Sequence, residues 1–337
     1  MNPLLALQDY GQSVWLDYLQ RHLLTSGELQ RLIEEDGLRG MTSNPAIFEK
    51  AITGSTDYAE ALKALTGRNL DAIGLYEQLA VRDIQDATDI FRPVYERTGR
   101  GDGYVSLEVS PTLAYDTEGT VREARRLWQT VGRPNLMIKV PAAPAGLRAI
   151  EQLISEGINV NVTLLFSQEV YERVAEAYIA GLERLAAQTG RVSQVASVAS
   201  FFISRIDTAV DAQVTARLKA AKSAQERTLL RSLLGKVAIA NGKLTYQRYK
   251  AIFQGARWEA LAAKGARPQR VLWASTSTKN PHYRDVLYVE ELIGSNTVNT
   301  MPPSTRRSWL GSRQPRARRS APCCAVCSAR SPSPTAS

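Results

Sequence analysis

Short apolar runs alternate with longer stretches of helical periodicity through most of the chain. Residues 14–17, 38–42, 104–109, 136–140, 159–166, 194–202, 271–275 and 297–301 predict eight strands. Between them, residues 72–97, 120–131 and 168–189 repeat apolar side chains at the spacing of one helix face, and residues 206–264 have room for two or three further helices. Strands separated by helices pair in parallel through right-handed crossovers. The strand faces then choose between an open sheet and a closed barrel. Strands covered by helices on both sides are almost continuously apolar, and several here are not. Val105, Leu107 and Val109 share one face, with Ser106 and Glu108 on the other. Leu136, Ile138 and Val140 leave Lys139 beside Met137, and Val160, Val162 and Leu164 leave Asn159, Asn161 and Thr163 opposite. Polar side chains on one face of successive parallel strands suit a barrel lumen whose outer face packs on helices. The expected fold is an eight-stranded (β/α)8 barrel with a helical insertion between strands six and seven. In such barrels chemistry gathers at the C-terminal ends of the strands, so Asp17, Glu108, Lys139 and Thr163 are expected to converge.

Composition changes this picture mainly at one end. The chain has 337 residues and a formal charge of +9. Seven arginines and no acid fall within residues 306–337, leaving +2 for residues 1–305. A basic chain invites a nucleic-acid reading, but it would rest on the tail alone. All three cysteines, Cys323, Cys324 and Cys327, lie there too, so the body has neither a disulfide framework nor thiol chemistry, as suits a reducing cytoplasm. No apolar run approaches the ~18 residues of a membrane span, and the start MNPLLALQDYGQSVW has no basic segment followed by an apolar one. A cytoplasmic enzyme with no membrane or nucleic-acid partner is expected; oligomeric state is not legible. The tail is Arg-, Ser-, Pro- and Cys-rich without periodicity. The division read from this break is a barrel over residues 1–305 and a disordered or frame-shifted end over 306–337, replacing the last helix.

Lys139 is the most informative single residue. Leu-Met-Ile precedes it and Val-Pro-Ala follows. An ammonium buried there costs several kcal/mol unless it is paired or gives up its proton, and a neutral amine is a nucleophile toward carbonyls. Two separately placed carboxylates, Glu108 and Asp17, can divide the proton transfers of imine formation and C–C cleavage. Other chemistries lack their parts. Gly99-Arg-Gly-Asp-Gly103 precedes a strand instead of following one, and neither Gly235-Lys236 nor Gly242-Lys243 is followed by Ser or Thr. His22 and His282 have no metal-ligand spacing and read as surface residues, and the cysteine cluster lacks a fourth ligand.

Five ordered segments carry a family resemblance. Gly40-Met-Thr-Ser-Asn-Pro-Ala-Ile-Phe48, Leu136-Met-Ile-Lys-Val-Pro-Ala142, Asn159-Val-Asn-Val-Thr-Leu-Leu-Phe-Ser167, Trp273-Ala-Ser-Thr-Ser-Thr-Lys-Asn-Pro281 and Asn296-Thr-Val-Asn-Thr-Met-Pro-Pro303 resemble the strand motifs of the transaldolases, in their long bacterial branch. The resemblance spans roughly residues 5–305 and implies a class I aldolase barrel with Lys139 on strand four as Schiff-base nucleophile. It implies that Asp17 takes the C4 hydroxyl proton and that Glu108 and Thr163 hold a catalytic water. Asn44, Asn161 and Ser200 would bind the dihydroxyacetone hydroxyls, Phe202 would pack beside them, and Arg205 would hold the sugar phosphate. A second phosphate-binding arginine is missing after strand seven, where Lys279 is the nearest cation, and a solvated loop lysine is an equal reading of it. The implied reaction transfers a dihydroxyacetone unit from sedoheptulose 7-phosphate or fructose 6-phosphate to glyceraldehyde 3-phosphate or erythrose 4-phosphate, in the non-oxidative pentose phosphate pathway. The protonated imine is the electron sink, so no metal or organic cofactor is implied. A related aldolase that releases free dihydroxyacetone is the nearest alternative.

Overall fold

A computed structural model describes residues 2–311 apart from Thr66 and Asn69. Eight parallel strands close a barrel in chain order: β1 Gln12–Asp17, β2 Gly40–Thr42, β3 Tyr104–Glu108, β4 Leu136–Pro141, β5 Val160–Leu165, β6 Ser197–Phe202, β7 Arg270–Ala274 and β8 Thr297–Met301. Strands β1 and β8 pair from Gln12↔Thr297 to Leu16↔Met301 and complete the ring. The helices are α1 Pro3–Asp9, α2 Arg21–Thr25, α3 Glu28–Glu35, α4 Pro45–Thr53, α5 Ala59–Leu65, α6 Ala72–Arg97, α7 Thr117–Val131, α8 Pro144–Ser155, α9 Gln168–Gln188, α10 Ser204–Ala220, α11 Ala224–Leu233, α12 Val237–Ile252, α13 Ala256–Ala262, α14 Leu287–Glu291 and α15 Pro303–Gly311. The insertion between β6 and β7 therefore holds four helices where two or three were expected. No helix among the described residues is long and apolar enough to cross a membrane.

The alternation along the strands divides two cores. Val105, Leu107, Leu136, Ile138, Val140, Val160 and Val162 pack outward in one large cluster with the helices. Trp15, Tyr104, Met137, Val198, Phe202, Leu272, Ala274 and Val298 form a separate cluster inside the barrel. Gly40 is required here, because a Cβ on it would come within 2.5 Å of the Trp15 ring lying across the lumen. The lumen floor is polar. Asp102 is buried and accepts from Ser13 Oγ at 2.7 Å and Trp15 Nε1 at 3.1 Å, and it pairs with Arg270 at 2.8 Å.

One strand departs from its expected pattern. Leu164 was placed outward with Val160 and Val162, but β5 shifts register between Val162 and Leu165. Leu164 takes φ +64° and is 41% exposed, while Leu165 turns into the outer core. An inserted residue reverses every face after it.

The composition break at residue 306 falls inside a helix. Residues 306–311 continue α15 past that break. Trp309 is fully buried and donates from Nε1 to Pro3 O at 3.0 Å. Arg306 is buried against Asp36, whose other oxygen accepts from Asn2 Nδ2 at 2.8 Å. The expectation for residues 312–337 lies outside the described residues.

On the outside, charged side chains join neighbouring helices. Arg133, just after α7, meets Asp89 of α6 at 2.6 Å, and Arg125 of α7 meets Glu156 after α8 at 2.7 Å. Arg184 of α9 meets Glu151 of α8 at 3.1 Å, and Arg257 of α13 meets Glu183 of α9 at 2.6 Å. Singly, such pairs contribute about 0–1 kcal/mol each.

Candidate active site

The strand ends bring Lys139 and Glu108 together because they are register partners on β3 and β4. Lys139 is only 7% exposed, which excludes a solvated strand lysine. Its Nζ lies 3.0 Å from Glu108 Oε2 and donates to Ser43 O at 3.2 Å. Of the two ways to bury an ammonium, the structure uses pairing. The same contact gives the amine an adjacent proton acceptor.

Asp17 ends β1, beside Thr42 of β2. Thr42 Oγ1 donates to Asp17 Oδ1 at 2.8 Å. Burial is the largest influence on Asp17 and raises its carboxyl above the ordinary aspartate range; Lys139, the Thr42 hydroxyl, Arg205 and Lys279 pull it partly back. A carboxylate with a raised pKa is the stronger base. Lys139, Arg205 and Lys279 are thus within electrostatic reach of Asp17.

Between these groups runs a buried polar row. Asn161, register partner of Lys139, donates from Nδ2 to Ser106 Oγ at 2.9 Å and accepts from Ser200 Oγ at 2.7 Å. Thr163 is buried next along β5, and its Oγ1 has no hydrogen-bond partner among the described residues. A buried hydroxyl without a partner is uncommon and suits a position that meets a ligand or water. Asn44 caps α4 by accepting from Ile47 N at 3.0 Å, which commits its oxygen and leaves its amide hydrogens for a ligand. At the rim, Arg205 opens α10 and is exposed, its guanidinium 4.8 Å above the Phe202 ring. Phe202 in turn packs on Phe166 at 5.3 Å. Lys279 is exposed on the loop after β7 and donates to Ser277 Oγ at 2.8 Å. His22 and His282 are both exposed, as expected.

With this geometry in place, comparison with known proteins is decisive. The family model described as Transaldolase/Fructose-6-phosphate aldolase matches residues 14–327. The chain belongs to this family. It is 55% identical over 304 residues to the transaldolase of Trichodesmium erythraeum, covering 90% of this chain and 80% of that protein. It is 54% identical over 308 residues to transaldolase 2 of Nostoc sp., with the same coverage, and 50% identical over 315 residues to the transaldolase of Thiobacillus denitrificans, covering 94% and 86%.

Three further residues of this family member touch the predicted groups directly: Thr42 on Asp17, Ser43 on Lys139 and Ser106 on Asn161. Thr42 and Ser43 sit inside the motif running from Gly40 to Phe48, and Ser106 shares the face of Glu108, so the motif signals the first two and alternation the third. The loop beyond β1 is fixed onto α6. Arg21 and Tyr58 Oη both reach the buried Asp83, each at 2.7 Å.

Proposed function

We propose that the chain is a transaldolase working through a Schiff base on Lys139. The observation that carries this is a 7%-exposed lysine amine held 3.0 Å from a carboxylate, inside a barrel of the transaldolase family. Lys139 Nζ passes a proton to Glu108 and attacks C2 of a ketose phosphate such as fructose 6-phosphate or sedoheptulose 7-phosphate. Glu108, through a water held with Thr163, returns a proton to the departing hydroxyl, which leaves as water. Asp17 takes the proton of the C4 hydroxyl, and the C3–C4 electrons move into the protonated imine. An aldose phosphate departs, and the three-carbon unit stays on Lys139 as an enamine. Attack of that enamine on glyceraldehyde 3-phosphate or erythrose 4-phosphate reverses the sequence and completes the transfer.

Placement supports the remaining roles. Asn44, Asn161 and Ser200 present amide and hydroxyl groups to the three-carbon unit, and Phe202 packs beside it. Arg205, stacked on Phe202, and Lys279 form the cationic rim for the sugar phosphate, where a guanidinium recognises phosphate oxygens in pairs. A reducing cytoplasm suits a barrel whose residues 1–305 contain no cysteine.

Borohydride added with fructose 6-phosphate should fix a three-carbon adduct on Lys139. Mapping by mass spectrometry that finds the adduct on another lysine refutes the assignment. Transfer to erythrose 4-phosphate, against release of free dihydroxyacetone without an acceptor, separates a transaldolase from an aldolase.

A further inference from the structure

Two threonines from the strands flanking β1 meet over its Trp15. Thr42 is the register partner of Asp17 on β2, and Thr300 on β8 is the register partner of Trp15. Both are about 2% exposed, and their hydroxyl oxygens lie 2.8 Å apart. Distance alone does not say which of them donates, but proton counting does. An ionised carboxylate only accepts, and a hydroxyl has one proton. Thr42 gives its proton to Asp17 Oδ1 at 2.8 Å, so the Thr42–Thr300 contact must be donated by Thr300. The backbone oxygen of Thr300 is itself tied to Thr276 Oγ1 at 3.3 Å.

We propose that Thr300 and Thr42 form a one-way hydroxyl relay that engages Oδ1 of Asp17 and reserves Oδ2 as the oxygen that takes the substrate proton. This deepens the assignment of Asp17 as the base for C–C cleavage and rests on that reading. Thr42 and Thr300 are positioning residues; neither touches the reacting atoms. The relay fixes the carboxylate plane, and its direction persists after proton transfer, because the new acid proton resides on Oδ2 while Thr42 still bonds Oδ1. Hydrogen bonds to a charged group are stronger than those between neutral ones, so Thr42 holds best in the state ready to act as base. The charged groups acting on Asp17 are Lys139, itself paired with Glu108, together with Arg205 and Lys279. All three cations persist when the threonines are replaced, so a change in the pH profile then reports the hydroxyls.

The test uses the full chain with Thr42→Val, Thr42→Ser, Thr300→Val and Asp17→Ala. Thr42→Val should lower kcat for transfer from fructose 6-phosphate roughly 10- to 100-fold through misplacement of the base. It should also move the acid limb of kcat/KM to higher pH, since a bond favouring the ionised carboxyl is lost. Thr300→Val should act in the same direction by about 2- to 10-fold, and Thr42→Ser should restore both quantities. Labelling of Lys139 by dihydroxyacetone with borohydride requires no C–C cleavage and should stay at the parent rate in the threonine variants. Full cleavage by Asp17→Ala overturns the assignment of Asp17. Loss of cleavage in Asp17→Ala with a parent-like kcat and acid limb in the threonine variants overturns the relay alone. If Thr42→Val does not fold, Thr300→Val and Thr42→Ser decide by the same two readouts.

Discussion

Replacing Arg306 by alanine tests whether the last described helix is part of the barrel or an appendage. The side chains of Arg306 and Asp36 are 10% and 9% exposed, and their ion pair joins α15 to the segment entering β2. Without the guanidinium, the Asp36 carboxylate keeps, among the described residues, only the Asn2 amide at 2.8 Å. Stranding one member of a buried pair costs about 3–5 kcal/mol, a large part of the ~5–15 kcal/mol that stabilises a typical domain. At about 2–3 °C per kcal/mol for a long chain, Tm should fall by roughly 6–15 °C. The companion variant Arg306→Met with Asp36→Leu removes both charges and should regain most of that loss, because the penalty comes from the orphaned carboxylate. Calorimetry or urea unfolding of the three proteins measures both effects. A single variant that melts within about 1 °C of the parent, or a double variant no better than the single, refutes the reasoning.

Further outcomes follow from the site. Asp17→Asn should abolish transfer by at least about 100-fold yet raise Tm at neutral pH. The folded carboxyl is raised above its ordinary value of 3.8, so its ionised form costs stability above the folded pKa. The advantage of the amide should fade as pH falls toward 3.8, and a lower Tm at pH 7 contradicts this. Glu108→Gln keeps a hydrogen-bonding partner near Lys139 but cannot accept its proton, so the rate of borohydride-trapped imine formation should drop about 10²- to 10⁴-fold; an unchanged trapping rate removes Glu108 from that step. Gly40→Ala forces a methyl within 2.5 Å of the Trp15 ring and should cost about 1–3 kcal/mol by urea unfolding, whereas a neutral effect means the indole is free to move.

Most of the architecture could be read from alternation because lumen and outer shell differ so sharply in polarity. Ser106 and Glu108 against Val105 and Leu107, or Lys139 against Ile138 and Val140, announce a two-sided strand whose wet face looks inward. Strand β2 is three residues long, too short to show a period, so Thr42 was legible only as part of a motif and not as the partner of Asp17. The exposed Leu164 has no signature in sequence, since a bulge is set by the strands on either side. The continuation of α15 past residue 306 was hidden for a different reason. A run of arginine, serine and proline looks unstructured by composition, yet Thr305 and Trp309 are one helical turn apart and both buried, and Arg306 has its partner 270 positions earlier.

The charged contacts between outer helices bear on how the molecule comes apart. Because Arg125, Arg133, Arg184 and Arg257 each reach to the adjacent βα layer and not along their own helix, they act like staves fastened to one another around a cask. From α6 through α7, α8 and α9 to α13, no helix can peel away without loosening a neighbour, which favours concerted opening of that side of the barrel. The desolvation cost of such contacts shrinks on heating, and the hoop therefore grips better at the temperatures where the strands begin to loosen.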